Sequence, residues 1–310
     1  MYGGQVITIE SIGESAIAYL TEPPIHTREY YHYCVQLLKR KCTELSCPIN
    51  ICVGPLSVNF NNGNPTMRTD IQCEHMLVKE GGRSVEERYV SATPTQEGDY
   101  YLLRIQNFNY YNGLDFVLEY SLPNISHLRN SGLFKEYLDK TVHISPSFYD
   151  ITVDATSKKD TLTLFTNNPS PRRIHFLSEM REKQIDFVAI DDCYSKNDLI
   201  TRYAKTKILV NVHQTDHHHT FEELRALPAL RNGVIVVSEE VPLVDKIPYH
   251  SHIIWAPYKD LSDTVLKVQQ NYDRIYKEIF TPRLKNLLLE MEETNSNNLN
   301  IVKRAEGHAP

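Results

Sequence analysis

Lys207–Glu240 reads KILVNVHQTDHHHTFEELRALPALRNGVIVVSEE. Ile208–Val212 is a short apolar run bounded by polar residues, the pattern of a strand buried on both faces of a parallel sheet. A polar loop, His213–His219, follows it. Thr220 stands three residues before Glu223, the spacing of a capping box, and predicts a helix over Phe221–Leu230. Gly233 ends that helix, and Val234–Val237 is a second buried strand. Strand, loop, helix and strand in this order make a parallel β–α–β unit. In an open sheet of such units the ligand lies beyond the carboxyl ends of the strands, facing helix N-termini. His213–Arg225 is therefore expected at such a crevice, where the free N–H groups of a helix start suit a diphosphate.

The same alternation continues on both sides. Upstream, strands are expected at Leu162–Phe165 and Phe187–Ile190, with helices at Arg172–Lys183 and Asn197–Lys205. Downstream come a strand at Ile253–Trp255 and one long helix, Leu261–Tyr276. The first half of the chain is less regular. Strands are expected at Gln5–Glu10, Ile49–Val53, Ile71–Val78, Tyr100–Gln106, Phe116–Tyr120 and Val142–Ser145, and helices at Arg28–Cys42 and Leu133–Leu138. The polar run Asp154–Asp160 precedes the clean alternation and marks a boundary. The 310 residues suit two domains, 1–153 and 154–293, followed by a polar, Asn-rich tail at 294–310.

Composition narrows the function. Apolar residues make up 41% of the chain and charged ones 23%, with a net charge of −6. That balance argues against a protein that coats nucleic acid or anionic lipid, while leaving room for a local basic site. Met1–Glu10 has no basic and apolar leader pattern, and no run approaches the roughly 20 apolar residues of a membrane span. A cytoplasmic protein without a membrane span is expected. The cysteines at 34, 42, 47, 52, 73 and 193 form no CxxC pair, so free thiols are expected.

Glu222, Arg225, Ala229-Leu230, Gly233 and Val236-Val237-Ser238-Glu239 together give a pattern. It is an acidic residue and an arginine at a helix start, then Ala-Leu-x-x-Gly-x-x-Val-Val-Ser-Glu. This resembles the C-terminal domain of GT-B glycosyltransferases, and looks closest to the group-1-like enzymes of bacteria and large DNA viruses that build surface glycans. The resemblance implies an α/β fold of two Rossmann-like domains facing a central cleft. It also implies transfer of a sugar from a nucleoside-diphosphate sugar to a glycan hydroxyl, with retention of configuration. In that family the first acidic residue of the helix contacts donor sugar hydroxyls, a role that falls to Glu222. A second acidic residue, further along, binds the ribose; here Pro228 stands at the expected position.

Departure of the diphosphate develops negative charge that a metal or cations must offset. The sequence contains no Asp-x-Asp motif to hold a divalent ion, so no metal and no cofactor is expected, and cations take that role. Arg225 lies one turn from Glu222 on the same helix face. Arg172 and Arg173 follow the first strand of the second domain and supply further positive charge. His213 ends its strand directly, and Glu239 follows the next one. Thr220 and Phe221 at the helix start complete the donor side. Glu223 is read as a cap. On the acceptor side Glu74, His75 and Glu119 lie in strand-like runs and are candidates for a general base.

Two other readings compete. One is a sugar-nucleotide epimerase of the same fold. The other is a metal hydrolase built on His213, Asp216 and His217–His219, although three adjacent residues point poorly at one ion.

Overall fold

A computed structural model of the chain describes residues 6–73, 77–80, 92–94, 100–103, 108–130, 132, 135–152, 158–164, 169–190, 193–214 and 221–300. For 77–80, 92–94, 100–103, 108–110 and 162 only the backbone is described. The chain divides into two compact units. Of the described residues, the first holds those up to Ser145 together with those from Glu292 onward, and the second holds those from Pro146 to Met291.

The first unit contains β1 (Ile7–Ile12), β2 (Ser15–Leu20), α1 (Arg28–Thr43), β3 (Asn50–Val53), β4 (Thr66–Gln72), β5 (Leu77–Glu80), β6 (Ala92–Pro94), β7 (Tyr100–Leu103), β8 (Phe116–Glu119), α2 (Leu122–Asn130), α3 (Lys135–Lys140) and β9 (Thr141–His143). Its main sheet runs β1-β2-β3-β4-β8-β9. All neighbours are parallel except the β1–β2 hairpin. The short strands β5, β7 and β6 make a separate antiparallel sheet. β2, β3 and β8 are buried almost throughout. β4 alternates instead: Met67, Thr69 and Ile71 are buried, while Arg68 is exposed and Asp70 half-buried on the opposite face.

The second unit contains β10 (Asp160–Leu164), α4 (Pro171–Glu182), β11 (Val188–Ile190), α5 (Lys196–Lys205), β12 (Thr206–Asn211), α6 (Glu223–Arg231), β13 (Ile235–Glu239), β14 (Ile254–Ala256), α7 (Leu261–Gln270) and α8 (Tyr272–Ile279). A last helix, α9 (Pro282–Asn298), begins here and ends in the first unit. The sheet is wholly parallel in the order β11-β10-β12-β13-β14. Strand order reverses between β10 and β12, so their carboxyl ends form a topological switch point. Ile208, Leu209, Val210, Ile235, Val236 and Val237 are fully buried between helices, as both-face burial of a parallel sheet demands.

The α/β class, with two Rossmann-like units, is as expected from the alternation. Several boundaries differ. The partition falls at Ser145/Pro146 rather than at 153/154. The expected tail is helical as far as Asn298, because its polar residues are used structurally. Asn295 is fully buried: its side-chain oxygen accepts from Ser145 N–H at 2.8 Å, and its amide donates to Ser145 O at 2.9 Å and to Tyr33 Oη at 3.0 Å. The long helix expected at 261–276 is two helices, broken at Asn271. β2 and α2 are additions to the expected elements.

Candidate functional site

Four chain segments meet at the carboxyl ends of β10, β12 and β13. α4 starts with Ser170 as its cap, whose Oγ accepts from Arg173 N–H at 3.2 Å, and with Pro171 at the first position. This fixes Arg172 and Arg173 in the first turn. From the far side of the switch point, β12 ends in Asn211 and leads to Val212 and His213. α6 then brings Glu222 and Arg225, and β13 ends in Ser238 and Glu239.

The two arginines of α4 do different work. Arg173 is 3% exposed, and its Nε donates to Val212 O at 3.2 Å. Its Nε thereby ties the helix to the end of β12, a structural role beside the phosphate role expected of it. Arg172 forms a two-point ion pair with Glu239, Nη1 to Oε2 at 3.0 Å and Nη2 to Oε1. It also stacks 3.8 Å from the centre of the Tyr258 ring, while Tyr258 Oη donates to Arg172 O at 2.7 Å. The Glu239 carboxylate accepts from the His213 backbone N–H at 3.1 Å, with His213 Nδ1 3.6 Å away. Arg172, Glu239 and His213 therefore form one joined, largely buried group in which the arginine charge is offset.

Arg225 is different. It is half-buried, its Nη1 lies 3.4 Å from Asn211 Oδ1, and among the described residues it has no carboxylate partner. Asn211 in turn donates to Ser238 Oγ at 3.0 Å, and Ser238 Oγ donates to Glu239 O at 3.0 Å. One polar chain thus links the arginine of α6 to the ends of β12 and β13.

The helix start departs from the capping-box expectation. α6 begins at Glu223, with half-buried Glu222 as the N-cap residue and no side-chain cap bond. Thr220, like Thr215–His219, lies outside the described residues. Glu223 is no cap: it is 2% exposed and accepts from Tyr249 Oη at 2.9 Å. The Glu223 N–H bonds Phe221 O and the Arg225 N–H bonds Glu222 O, so fewer helix-start amides face a ligand than the sequence suggested. Phe221 is fully buried and packs edge-on against Trp255, with ring centres 4.9 Å apart. Its expected place on the donor side is corrected to the core, since a wholly enclosed ring touches no ligand. Pro228 sits inside α6, buried, where it contributes no acidic group.

On the other unit, Glu74 and His75 lie outside the described residues. Glu119 is fully buried, and its Oε1 accepts from Ser121 N–H at 3.0 Å and Asn124 Nδ2 at 3.1 Å. It braces the turn from β8 into α2, which corrects its expected role as a base. Two titratable groups that sequence reasoning missed lie on β4 and β9. Burial pushes the Asp70 carboxyl up to about 7, partly opposed by the Ile71 N–H that donates to its Oδ1 at 2.8 Å. Burial pushes His143 down to about 4, against the contact of its Nε2 with Tyr120 O at 3.1 Å. The alternating burial of β4 is the signal that marks Asp70, and it is readable only once the strand's start at Thr66 is known.

No protein-family model matches the chain. Two uncharacterized proteins of Acanthamoeba polyphaga mimivirus are similar to it. One is 27% identical over 174 residues, covering 53% of this chain and 56% of that protein. The other is 25% identical over 196 residues, covering 58% and 60%. The matches thus span little more than half of these relatives. Among solved structures the chain is similar to TarM, with 12% identity, a TM-score of 0.49, and coverage of 95% of this chain and 63% of that one. It is also similar to a trehalose-6-phosphate synthase, with 10% identity, a TM-score of 0.42, and coverage of 96% and 88%. For an α1,3-fucosyltransferase the identity is 11%, the TM-score 0.34 and the coverage 78% and 68%. Among the described residues, no helix is long and apolar enough to cross a membrane.

Proposed function

We propose that this chain is a glycosyltransferase that binds a nucleoside-diphosphate sugar at the switch point of its second unit and transfers the sugar to a glycan hydroxyl. The observation that carries this reading is Arg225. It is a half-buried guanidinium without a carboxylate partner among the described residues, placed where an open α/β sheet receives its ligand. A partly desolvated cation left unpaired favours an anionic ligand, because the ligand recovers the charge interaction that the fold leaves unmade.

The proposed division of labour follows. Arg225 meets the diphosphate and stabilises the charge that develops as the sugar leaves. Glu222, at the head of α6, accepts hydroxyls of the donor sugar. The Arg172–Glu239 pair keeps His213 and the end of β13 in place. The reaction is read as metal-independent and retaining, the former because arginine supplies the positive charge.

A thermal-shift screen against UDP-, GDP-, dTDP- and CMP-sugars tests the reading. A donor at 100 times its dissociation constant stabilises the fold by roughly 2.7 kcal/mol. Absence of a shift with all four classes sinks it.

A further inference from the structure

We propose that Tyr203 of α5 is the positioning residue for Arg225: its hydroxyl grips the main chain of α6 at Arg225 and fixes where the guanidinium stands at the switch point. The proposal rests on the donor reading only for what Arg225 meets. The geometry belongs to the second unit alone. Tyr203 Oη donates to Arg225 O at 3.3 Å. Tyr203 is 1% exposed and is the one buried residue of α5. The single side chain that this helix sends into the core therefore ends at Arg225. Burial pushes the phenol up, an effect that the Arg225 charge partly opposes and Cys193 adds to, so the hydroxyl keeps its proton and acts as a donor.

The sequence of α6 explains why an outside tie is needed. The helix is nine residues long and has Pro228 in its interior. Proline has no N–H, so Leu224 O lacks its ladder donor, and the first turn is joined to the rest of the helix by one bond fewer. Glu222 adds no side-chain cap bond. The Arg225 N–H turns back to Glu222 O at 3.0 Å, within the same turn. The Tyr203 hydroxyl holds this turn from a neighbouring helix. A cation stabilises a developing anion best when it already stands in place, so the tie serves the charge that α6 carries.

The other end of the tie is itself anchored. Lys158 is 5% exposed, and its Nζ donates to Tyr203 O at 2.7 Å and to Asn232 O at 2.9 Å. Tyr203 lies in the last turn of α5 and Asn232 just past the end of α6, where helix carbonyls lack ladder donors and attract a cation. One buried ammonium thus joins the carboxyl ends of the two helices, while the Tyr203 hydroxyl joins α5 to the head of α6. Asn211 meets the guanidinium from β12, the strand that α5 leads into. The main chain of Arg225 and the tip of its side chain are each held from a different element.

The test uses the full chain with its arginine nitrogens labelled, and UDP and GDP as probes. The Arg225 Nε–H resonance is assigned by its loss in Arg225→Ala. Tyr203→Phe keeps the ring that fills the core and removes only the hydroxyl. Arg231, at the far end of α6, donates from Nε to Tyr149 O and serves as the control. General loosening of the helix moves both resonances, whereas release of the Tyr203 tie moves that of Arg225 alone. The expected result in Tyr203→Phe is a shifted Arg225 resonance with a lowered heteronuclear NOE, beside an unchanged Arg231. Binding of whichever diphosphate the wild type takes weakens by about fivefold. An unmoved Arg225 resonance, movement of both resonances, or undiminished diphosphate binding overturns the proposal. If the Arg225 resonance alone moves while neither UDP nor GDP binds the wild type, Tyr203 remains the positioning residue and the donor reading falls.

Discussion

The Arg225 guanidinium lies 3.4 Å from Asn211 Oδ1, on the last residue of β12, and that contact holds it at the mouth of the switch point. Among the described residues no carboxylate offsets its charge, which the proposed reading assigns to the diphosphate. Arg225→Ala is expected to keep the fold, to abolish most of the stabilisation by nucleoside diphosphate, and to lower turnover by about 10²-fold, the typical loss of one preorganised donor to a developing anion. Arg225→Lys restores charge without the planar fork and recovers only part of both. Near-wild-type diphosphate binding in Arg225→Ala would place the phosphate elsewhere.

Arg172 and Glu239 behave as a unit with the opposite signature. Both side chains are nearly enclosed, at 12% and 10% exposure. Arg172→Ala leaves a buried carboxylate without its cation, a change that costs about 3 kcal/mol or more. The double variant Arg172→Met, Glu239→Gln removes both charges and is expected to be clearly more stable than Arg172→Ala alone. Urea midpoints for the wild type, Arg172→Met, Glu239→Gln and the double variant close the cycle. Additive losses in the double variant would show that the pair is not coupled.

Activity is expected to survive EDTA. The chain has no Asp-x-Asp motif, and in the proposed reading Arg225 supplies the positive charge that a divalent ion otherwise brings to the leaving group. Turnover lost in EDTA and restored by Mn²⁺ or Mg²⁺ would contradict this.

The second unit was legible in the sequence because local and global signals agree there. Ile208–Val212 and Val234–Val237 are apolar runs too short for helices, each followed by a clear break, and both are buried strands in the structure. The site was legible in place but not in detail. Sequence locates His213 and Glu239 at strand ends and Glu222 and Arg225 at a helix start. It cannot show that Glu239 neutralises Arg172, because that pair joins residues 67 positions apart. Phe221 and Glu223 misled for a related reason: a helix start is polar by propensity, and only tertiary packing reveals that these two point inward. The first unit was harder because its strands are separated by irregular connections, and β4 alternates where its neighbours are apolar throughout.

The end of α9 offers a test of how composition misleads. Residues after Glu293 are polar, yet Asn295 bonds both main-chain groups of Ser145, its Oγ and the Tyr33 hydroxyl. Asn295→Ala is expected to lower stability by about 2 kcal/mol, since several buried groups lose their partner at once. A chain ending at Glu293 should lose at least as much. If that truncation melts at the wild-type temperature, the segment is the dispensable tail that its composition suggested.

The last prediction concerns pH and sets Asp70 against His143. In the native state the Asp70 carboxyl holds its proton up to about pH 7, whereas the unfolded chain releases it near the ordinary value of about 3.9. Between these limits the native state binds more protons, so stability falls as pH rises through the window and stays low above it. His143 runs the other way. Its native pKa is about 4 and its unfolded value about 6.5, so the unfolded state binds more protons in that window and stability rises with pH. The two slopes overlap and largely cancel in the wild type. Asp70→Asn removes only the first. The variant should match the wild type near pH 4 and exceed it at pH 7.5 by on the order of 2 kcal/mol, allowing for the partial exposure of the carboxyl. Its stability should also climb more steeply between these values, as His143 alone then sets the slope. Thermal melts of both proteins at several pH values read this directly, and a shift of a few degrees is expected at the upper end. An Asp70→Asn protein that is less stable than the wild type at pH 7.5, or offset from it by the same amount at every pH, would mean that the carboxylate is charged and well accommodated in the fold.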